Sequence, residues 1–188
     1  KLHLGWPGVE PISDSRAQDD SGRVSPRFVF VGKEWKRKGL RRAINVVEAF
    51  RAANPKAALD VFGVDSSDVP KNLSKKDGVR FKGWTSAIPW ANYDVLIHPS
   101  ENEPFGMVIA EARSHGVPVL MSDRVGAADL AFSNVRIVPF DAPSSEWESS
   151  LQELLASPDR SSEVKWIWSD LVDLHCQTIY PQAGGGIL

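Results

Sequence analysis

Two glutamates, Glu103 and Glu111, are the residues of this 188-residue chain whose spacing most suggests chemistry. They are separated by eight positions and lie on either side of the turn Pro104-Phe105-Gly106. Paired carboxylates that hydrolyse glycosides lie roughly 5–9.5 Å apart, whereas this spacing implies about 12 Å along a helix axis. We therefore interpret the two carboxylates as contacts for the two ends of one extended ligand. Residue type alone leaves an alternative, in which both are solvated surface charges.

The segment that carries these glutamates predicts a strand, a loop and a helix. The apolar run Val95–Ile97 predicts a buried strand, which the His98-Pro99-Ser100 sequence ends. A helix follows from about Gly106 and ends at His115-Gly116. Proline is tolerated in a first helical turn and glycine leaves the backbone open. The free amides of Phe105–Met107 can therefore face an anionic ligand.

Two stretches of the chain resemble one enzyme family. The residues Ser100…Glu103-Pro-Phe-Gly106…Glu111-Ala112…Gly116-Val-Pro-Val119 resemble the E-x7-E signature of the retaining family 4 glycosyltransferases, or glycosyl transferases group 1. The residues Phe28-Val-Phe-Val-Gly32, Lys33 and Lys38-Gly39-Leu40 resemble the family's strand-Gly-Arg/Lys…Lys-Gly segment. The similarity extends from about Arg27 to Phe140. Lys33 stands where the family more often has arginine, which replaces a bidentate fork with a point charge.

The resemblance implies an α/β fold, a Rossmann-like three-layer domain with a mostly parallel sheet that forms the C-terminal half of a GT-B fold. It implies that Glu111 holds the ribose hydroxyls, that Lys33 and Lys38 hold the diphosphate, and that Glu103 holds the donor sugar. Glu103, Lys33 and Lys38 would then be the catalytic residues. The remaining nucleotide-sugar-binding residues would be Gly32, Trp84, Phe105, Gly106 and Met107, with Trp84 beside the base.

The implied function is the binding of a nucleoside-diphosphate sugar and the transfer of its hexose-type sugar. The acceptor, a saccharide or a lipid-linked molecule, would be bound by a missing N-terminal domain, so this fragment alone is expected to be inactive. Neither a cofactor nor a metal ion is expected. Two alternatives stay open: another GT-B-fold enzyme, such as a sugar-nucleotide epimerase or a phosphorylase, or a non-catalytic nucleotide-binding module completed by a separate chain.

Composition excludes several other classes of protein. Hydrophobic residues make up 42% of the chain, which is enough for a core, and the net charge of −2 gives no global attraction to nucleic acid. Four scattered histidines and the absence of an Asp-x-Asp motif give no metal-ligand pattern, and neither a P-loop nor a Gly-x-Gly-x-x-Gly fingerprint occurs. The single Cys176 suits a reducing compartment. We expect a cytoplasmic protein, with peripheral attachment at the inner face of the membrane left open.

The order of elements predicts one domain at 27–180, preceded by an interdomain connection at 1–26 and followed by a flexible tail at 181–188. Strands are predicted at 27–32, 58–63, 79–83, 94–97, 118–122 and 135–139. Helices are predicted at 38–53, after Phe105, near 88–92, from a capping box at Ser145, and at about 162–175. Alternating strands and helices imply a mostly parallel sheet covered on both faces. Ligands of such sheets bind beyond the carboxyl ends of the strands.

A cluster of cations follows the first predicted strand: Lys33, Lys36, Arg37, Lys38, Arg41 and Arg42. Positive charge at the start of a helix is unfavourable because the helix N-terminus is itself partly positive. The cluster therefore predicts a bound anion, and a diphosphate would supply one. A solvated basic face is the alternative. Two histidines are predicted to be structural: His98 would be satisfied by backbone groups, and His115 would cap the end of its helix.

Overall fold

The computed structural model of the protein describes residues 25–130, 132–156 and 160–161. The strands are β1 Arg27–Val31, β2 Ala58–Phe62, β3 Val79–Gly83, β4 Val95–His98, β5 Val119–Ser122 and β6 Val135–Val138. The α-helices are α1 Leu40–Arg51, α2 Lys71–Ser74, α3 Met107–Ser114 and α4 Ser144–Ala156. Short 3₁₀ turns lie at Ser66–Asp68, Trp90–Asn92 and Gly126–Leu130. The predicted alternation of strands and helices is confirmed.

The six strands form one parallel sheet in the order β3-β2-β1-β4-β5-β6. From β1 the chain builds outward through β2 to β3, and it then returns to place β4 on the other side of β1. Phe28 of β1 is accordingly in register with Leu59 on one side and Val95 on the other. The strand order reverses between β1 and β4. In open α/β sheets, the crevice beyond the carboxyl ends of the strands at such a reversal is where ligands bind.

Apolar side chains cover both faces of the sheet because successive strand residues point to opposite sides. On one face, Phe28 and Phe30 pack with α1 and α4, where Ile44 and Trp147 are fully buried. On the other face, strand residues pack with α3 around Ile109. The two clusters hold the helices against the sheet, so the loops at the carboxyl edge start and end on fixed elements.

Helix α1 begins two residues later than predicted. Its buried positions recur at helical spacing, and these residues are Leu40, Ala43, Ile44, Val46, Val47 and Phe50. Gly39 precedes them with φ 79°, a left-handed conformation that a right-handed helix cannot contain. The helix therefore starts at Leu40 rather than at Lys38.

Helix α4 corrects a second boundary. It begins at Ser144, so Ser145 lies within the first turn and the predicted capping box is wrong. The amide of Glu146 donates to the carbonyl of Pro143, which occupies the position before the helix. Trp147, Leu151 and Leu154 are buried. The predicted helix at 162–175, the tail at 181–188 and most of the connection at 1–26 lie outside the described residues, and the domain boundaries stay predictions.

In the part of the chain that the structure describes, no helix is both long and apolar enough to cross a membrane. The cytoplasmic location stays a prediction.

A buried carboxylate that the sequence analysis did not identify lies in the middle of β2. Asp60 is 1% exposed, and it accepts hydrogen bonds from Arg27 at 2.9 Å and from the Tyr93 hydroxyl at 3.0 Å. Arg80 Nε forms an ion pair with Oδ1 at 2.9 Å, and Lys82 lies 3.8 Å from Oδ2. Burial, together with the adjacent Asp60, raises the pKa of Tyr93 well above its usual value. Asp60 thus links β1, β2 and β3 through ion pairs, and it links β2 to the segment before β4 through the hydrogen bond from Tyr93.

Replacing Asp60 with asparagine should destabilise the fold, because Arg27 and Arg80 would lose their counter-charge. We expect the free energy of unfolding to fall by about 1–3 kcal/mol, less than for a fully buried pair because both arginines are partly exposed. Urea unfolding at neutral pH measures the change. The control is Asp77→Asn, since Asp77 pairs with Arg51 but is 94% exposed, and it should leave the midpoint nearly unchanged. Equal effects of the two substitutions would contradict the role given to Asp60.

Candidate functional site

The loops after β1 and β4 meet at the point where the strand order reverses. Gly32 and Lys33 directly follow β1, and Glu103 lies in the loop after β4. The side chain of Lys38 crosses Gly32, where a Cβ atom would lie 2.2 Å from its Cδ. Lys38 Nζ thereby reaches Glu103 Oε2 at 3.0 Å. Two residues predicted from separate sequence segments are in contact.

The contact between these loops depends on Gly39. A Cβ atom at this position would lie 2.0 Å from the carbonyl oxygen of Pro99, which is far inside contact distance. The left-handed backbone at Gly39 also turns the chain into α1. Because Gly39 has no side chain, the β1 and β4 loops can lie against each other.

Glu103 lies in a fixed and largely buried setting. Its side chain is 12% exposed. Its amide donates to the carbonyl of Arg124 at 3.1 Å, and its carbonyl accepts from the amide of Gly126 at 3.0 Å. These two bonds tie the β4 loop to the loop after β5, so the backbone from which the carboxylate extends is held in place.

Three nitrogen atoms converge on one oxygen of the Glu103 carboxylate. Besides Lys38, the Arg37 guanidinium lies 3.4 Å from Oε2 and His98 Nε2 lies 4.0 Å from it. Within the described residues, no hydrogen bond or ion pair involves Oε1. One carboxylate oxygen is therefore occupied by cations and the other is available to a ligand.

Arg37 was not predicted as a site residue. It forms an ion pair with Glu34 at 2.5 Å and donates to the carbonyl of Asn102 in the β4 loop. Its place in the basic segment gave a signal, but the sequence could not show that its side chain crosses to Glu103. The structure adds Arg37 to the residues around the carboxylate.

Helices α1 and α3 both begin at this edge, although the first amide of α1, that of Leu40, already donates to the carbonyl of Trp35 at 2.9 Å. Each starts after a left-handed glycine, Gly39 with φ 79° and Gly106 with φ 91°. Neither has a side-chain cap or an acidic residue in its first turn, whereas α4 has Glu146 there. Uncapped amides and the partial positive charge of a helix N-terminus favour an anion.

The turn before α3 is held from the neighbouring loop. Phe105 is partly buried against the core, and its carbonyl accepts the Ala127 amide at 2.8 Å. Met107 is the first residue of α3. The predicted residues Phe105, Gly106 and Met107 thus lie together at the start of the helix, on the loop that carries Glu103.

The other predicted residues lie farther along the edge or the helix. Lys33 is exposed, and within the described residues it forms no hydrogen bond or ion pair through its side chain. Trp84 follows β3 and is 68% exposed. Glu111 is the fifth residue of α3 and is exposed, yet protein atoms around its carboxyl displace part of its hydration and raise its pKa. The structure does not join these three to Lys38 or Glu103 directly.

The six cations of the basic cluster have different surroundings. The protein itself partners several of the six cations: Lys38 and Arg37 contact Glu103, while Arg42 lies 4.6 Å from the Phe140 ring centroid. Lys36 lies over Trp35. Lys33 and Arg41 are the members for which the described residues provide no such partner. Only Arg37 and Lys38 of the cluster meet carboxylates within the described residues, so the bound anion stays a prediction.

The two structural histidines have different outcomes. The prediction for His98 is wrong, because its ring is fully buried and neither nitrogen has a hydrogen-bond partner within the described residues. His115 is confirmed at the C-terminus of α3, where Nδ1 lies 2.9 Å from the carbonyl oxygen of Glu111. Its ring also lies 6.0 Å from that of Trp90.

Over residues 25–130, 132–156 and 160–161, no three histidine, cysteine or acidic side chains come together as a metal site. The expectation that the protein works without a metal ion stays a prediction.

The parallel sheet with its strand reversal, the paired helix N-termini and the cations between them define a Rossmann-like domain of the kind that forms the C-terminal half of a GT-B fold. Sequence comparison agrees with this class. The chain belongs to the family described as glycosyl transferases group 1, whose profile matches residues 25–157.

Among curated relatives, the lipopolysaccharide glucosyltransferase WaaG of Escherichia coli strain K12 is 30% identical over 151 residues, which are 74% of this chain and 39% of that protein. The crystal structure of WaaG, a glycosyltransferase involved in lipopolysaccharide biosynthesis, superimposes with a TM-score of 0.62 at 26% identity, over 72% of this chain and 39% of the other. The chain thus spans well under half the length of this relative.

Two further solved structures share the fold. Sucrose-phosphate synthase from Thermosynechococcus elongatus has a TM-score of 0.73 at 23% identity, covering 96% of this chain and 52% of its own. Anabaena HepE in complex with UDP-glucose has a TM-score of 0.67 at 19% identity, covering 83% and 49%. These likenesses concern the arrangement of the backbone.

Replacing Gly39 with alanine should separate the β1 and β4 loops. The new Cβ adds a left-handed strain of about 1–2 kcal/mol and a clash with backbone that cannot move alone, so we expect a total loss of about 2–4 kcal/mol in unfolding free energy. The control is Gly78→Ala, where φ is 76° but the nearest atoms belong to the flexible end of the Arg51 side chain. Urea unfolding compares them. Similar losses would show that the contact with Pro99 is not important.

Glu111 should make stability depend on pH. A carboxyl whose pKa is raised in the folded state favours folding when protonated, and this contribution is lost as pH rises through the folded-state pKa. Glu111→Gln, which cannot ionise, should therefore unfold at a higher temperature than the wild type at pH 7, and the difference should vanish below about pH 4. Thermal melts across this range test it, with the exposed Glu101→Gln as control. A difference that persists at low pH would exclude ionisation as its cause.

Proposed function

We propose that this chain is the donor-binding domain of a retaining family 4 glycosyltransferase, which transfers a hexose-type sugar from a nucleoside-diphosphate sugar. The observation that carries the proposal is the contact of Lys38 with Glu103 where the strand order reverses, at the edge of the sheet that also carries Lys33 and the N-terminus of α3. Membership of glycosyl transferases group 1 supports the class of reaction.

The diphosphate of the donor would lie between the β1 loop and the start of α3. Lys33 and Lys38 provide the positive charge, and the amides of Phe105–Met107 lie on the opposite side. Gly32 supports this role because it leaves space for the Lys38 side chain. The chemistry needed at a diphosphate is positive charge and hydrogen-bond donors, and this edge supplies both.

The rest of the donor would extend in two directions. Glu103 would accept hydroxyl groups of the sugar through Oε1, the oxygen that the cations leave available. Glu111 would accept the ribose hydroxyls, and the exposed ring of Trp84 would lie against the base. The two glutamates then bind different parts of one molecule, which agrees with their separation in sequence. Anabaena HepE, which shares the fold, has been solved with UDP-glucose.

The proposed mechanism is stabilisation of the leaving group. When the bond between the sugar and the diphosphate breaks, negative charge grows on the diphosphate oxygens. Cations already in place bind that charge more strongly than they bind the ground state, and this difference lowers the barrier. We propose that the lysines provide this stabilisation without a metal ion. A second Rossmann-like half would supply the acceptor, a saccharide or lipid-linked molecule, and would exclude water on closure.

Nucleotide titrations test the proposal and separate the roles of the two glutamates. The chain should bind at least one of UDP, GDP and ADP in a calorimetric titration, and Glu111→Gln should weaken that binding roughly tenfold through the loss of a charged hydrogen bond. Glu103→Gln should bind the free nucleotide equally well or more tightly, because the substitution removes the carboxylate that holds Lys38.

Lys33→Ala provides the matched test of the cations. It should weaken nucleotide binding by roughly tenfold or more, whereas Arg41→Ala, which removes an exposed cation of the same segment, should change it by less than about twofold. Absence of binding by the wild type at millimolar nucleotide, or equal losses from both glutamate substitutions, would overturn the assignment.

A further inference from the structure

We propose that His98 is a positioning residue for Glu103: when the donor diphosphate takes Lys38 away from the carboxylate, the imidazole Nε2–H donates to Glu103 Oε2 and holds the carboxylate in place for the donor sugar. This inference rests on the proposed function, because it assumes that Lys38 binds the diphosphate.

The ring of His98 is unusual for a buried histidine. It has no exposed surface, and both nitrogens lack a hydrogen-bond partner within the described residues. Buried polar groups are nearly always hydrogen-bonded, and an unpaired one is costly. His98 is the last residue of β4 and lies on the same face as Leu96, the face covered by α3. The unpaired ring therefore lies on the side of the sheet where the candidate site is built.

Glu103 Oε2 is an acceptor close to His98, and its position explains why the two form no hydrogen bond. Nε2 lies 4.0 Å from Oε2, about 1 Å too far for a hydrogen bond. Lys38 and Arg37 lie closer to this same oxygen, at 3.0 and 3.4 Å. A carboxylate oxygen has about two lone-pair sites, and two cations occupy them. His98 is thus a third donor, and no lone-pair site on Oε2 is left for it.

Release of Lys38 changes this balance. One lone-pair site on Oε2 becomes free, and the remaining 1 Å is a movement that a loop side chain can make. The ring is in the correct state for a donor, because burial, reinforced by Lys38 and Arg37, lowers the pKa of His98 to about 3 and keeps the imidazole neutral at physiological pH. A neutral ring carries one N–H, and the exchange leaves Glu103 with Arg37 and His98 as partners.

The arrangement links two parts of the donor. In this structure, the ion pair with Lys38 prevents Glu103 from being an unpaired, largely buried charge. In the loaded site, Lys38 is used by the diphosphate, and His98 replaces it without adding a positive charge. Glu103 then remains ionised and oriented, with Oε1 directed to the sugar.

A comparison of UDP with UDP-glucose, and of GDP with GDP-mannose, tests the inference on the full 188-residue chain. His98→Leu should bind each nucleotide more weakly, because the hydrogen bond that replaces Lys38 is lost, and should lose roughly tenfold more affinity for the sugar nucleotide that the wild type prefers, because Glu103 is no longer held in place for the sugar. His98→Gln, whose amide can donate from a similar position, should recover much of that loss. Thermal melts establish that both variants are folded.

Nitrogen-15 NMR of the histidine ring distinguishes this hydrogen bond from a role in packing alone, because packing would not change the Nε2–H signal of His98. Addition of nucleotide to the wild type should produce a hydrogen-bonded Nε2–H signal for His98. Lys38→Met should produce the same signal without ligand, because it frees Oε2, whereas Arg41→Met should not.

Several outcomes would overturn the inference. These are equal losses for nucleotide and sugar nucleotide in folded His98→Leu, no loss for either, an unchanged ring signal in Lys38→Met, and a wild type that binds sugar nucleotides no differently from nucleotides. A wild type that binds no nucleotide at all would overturn the proposed function and this inference together. Nucleotide binding with an unresponsive His98 would overturn the inference alone.

Discussion

The close approach of the β1 and β4 loops is the constraint on which the candidate site depends. Gly39 lies directly against the Pro99 carbonyl, and Gly32 lies beneath the Lys38 side chain. Any side chain at either position would occupy space that the neighbouring loop or lysine uses. Only with both glycines can a cation that follows β1 reach a carboxylate that follows β4 at 3.0 Å. The parallel sheet sets the place of this contact, and the glycines set its distance.

The ion pairs at this contact compete with the binding of a diphosphate, but they also hold the cations in place before it binds. Arg37, Lys38 and Glu103 are only partly exposed, so an uncompensated charge among them would be unfavourable. Their mutual pairing avoids such an uncompensated charge. A diphosphate must then compete with Glu103 for Lys38, so part of its interaction energy replaces an existing contact. In return, Lys38 is already held close to the position in which it would bind the diphosphate, which lowers the entropic cost of ordering its side chain on binding.

The sequence predicted the sheet well because its signals are local. Each strand was placed to within a residue at either end, since the apolar runs and the turn residues that bound them lie side by side in the chain. Pairings between distant segments could not be found in this way. Asp60 interrupts an apolar strand, but its partners Arg27, Arg80 and Tyr93 come from other segments. The absence of a hydrogen-bond partner for the His98 ring likewise depends on the folded arrangement. From the sequence, the ring was expected to bond to backbone groups.

Asp60 and Glu103 are two carboxylates with different roles: Asp60 is used entirely within the fold, whereas Glu103 can also contact a ligand. Both are acidic residues surrounded by several cations. Asp60 is 1% exposed, it lies mid-strand, and its partners contact both of its oxygens, so no part of it can reach a ligand. Glu103 lies in a loop at the carboxyl edge, and its cationic neighbours all contact one oxygen. The difference arises from position rather than from residue type, because parallel strands leave their open groups beyond the carboxyl ends. The carboxylate oxygen that remains available to a sugar-nucleotide donor therefore lies at the crevice beyond the carboxyl ends of the strands.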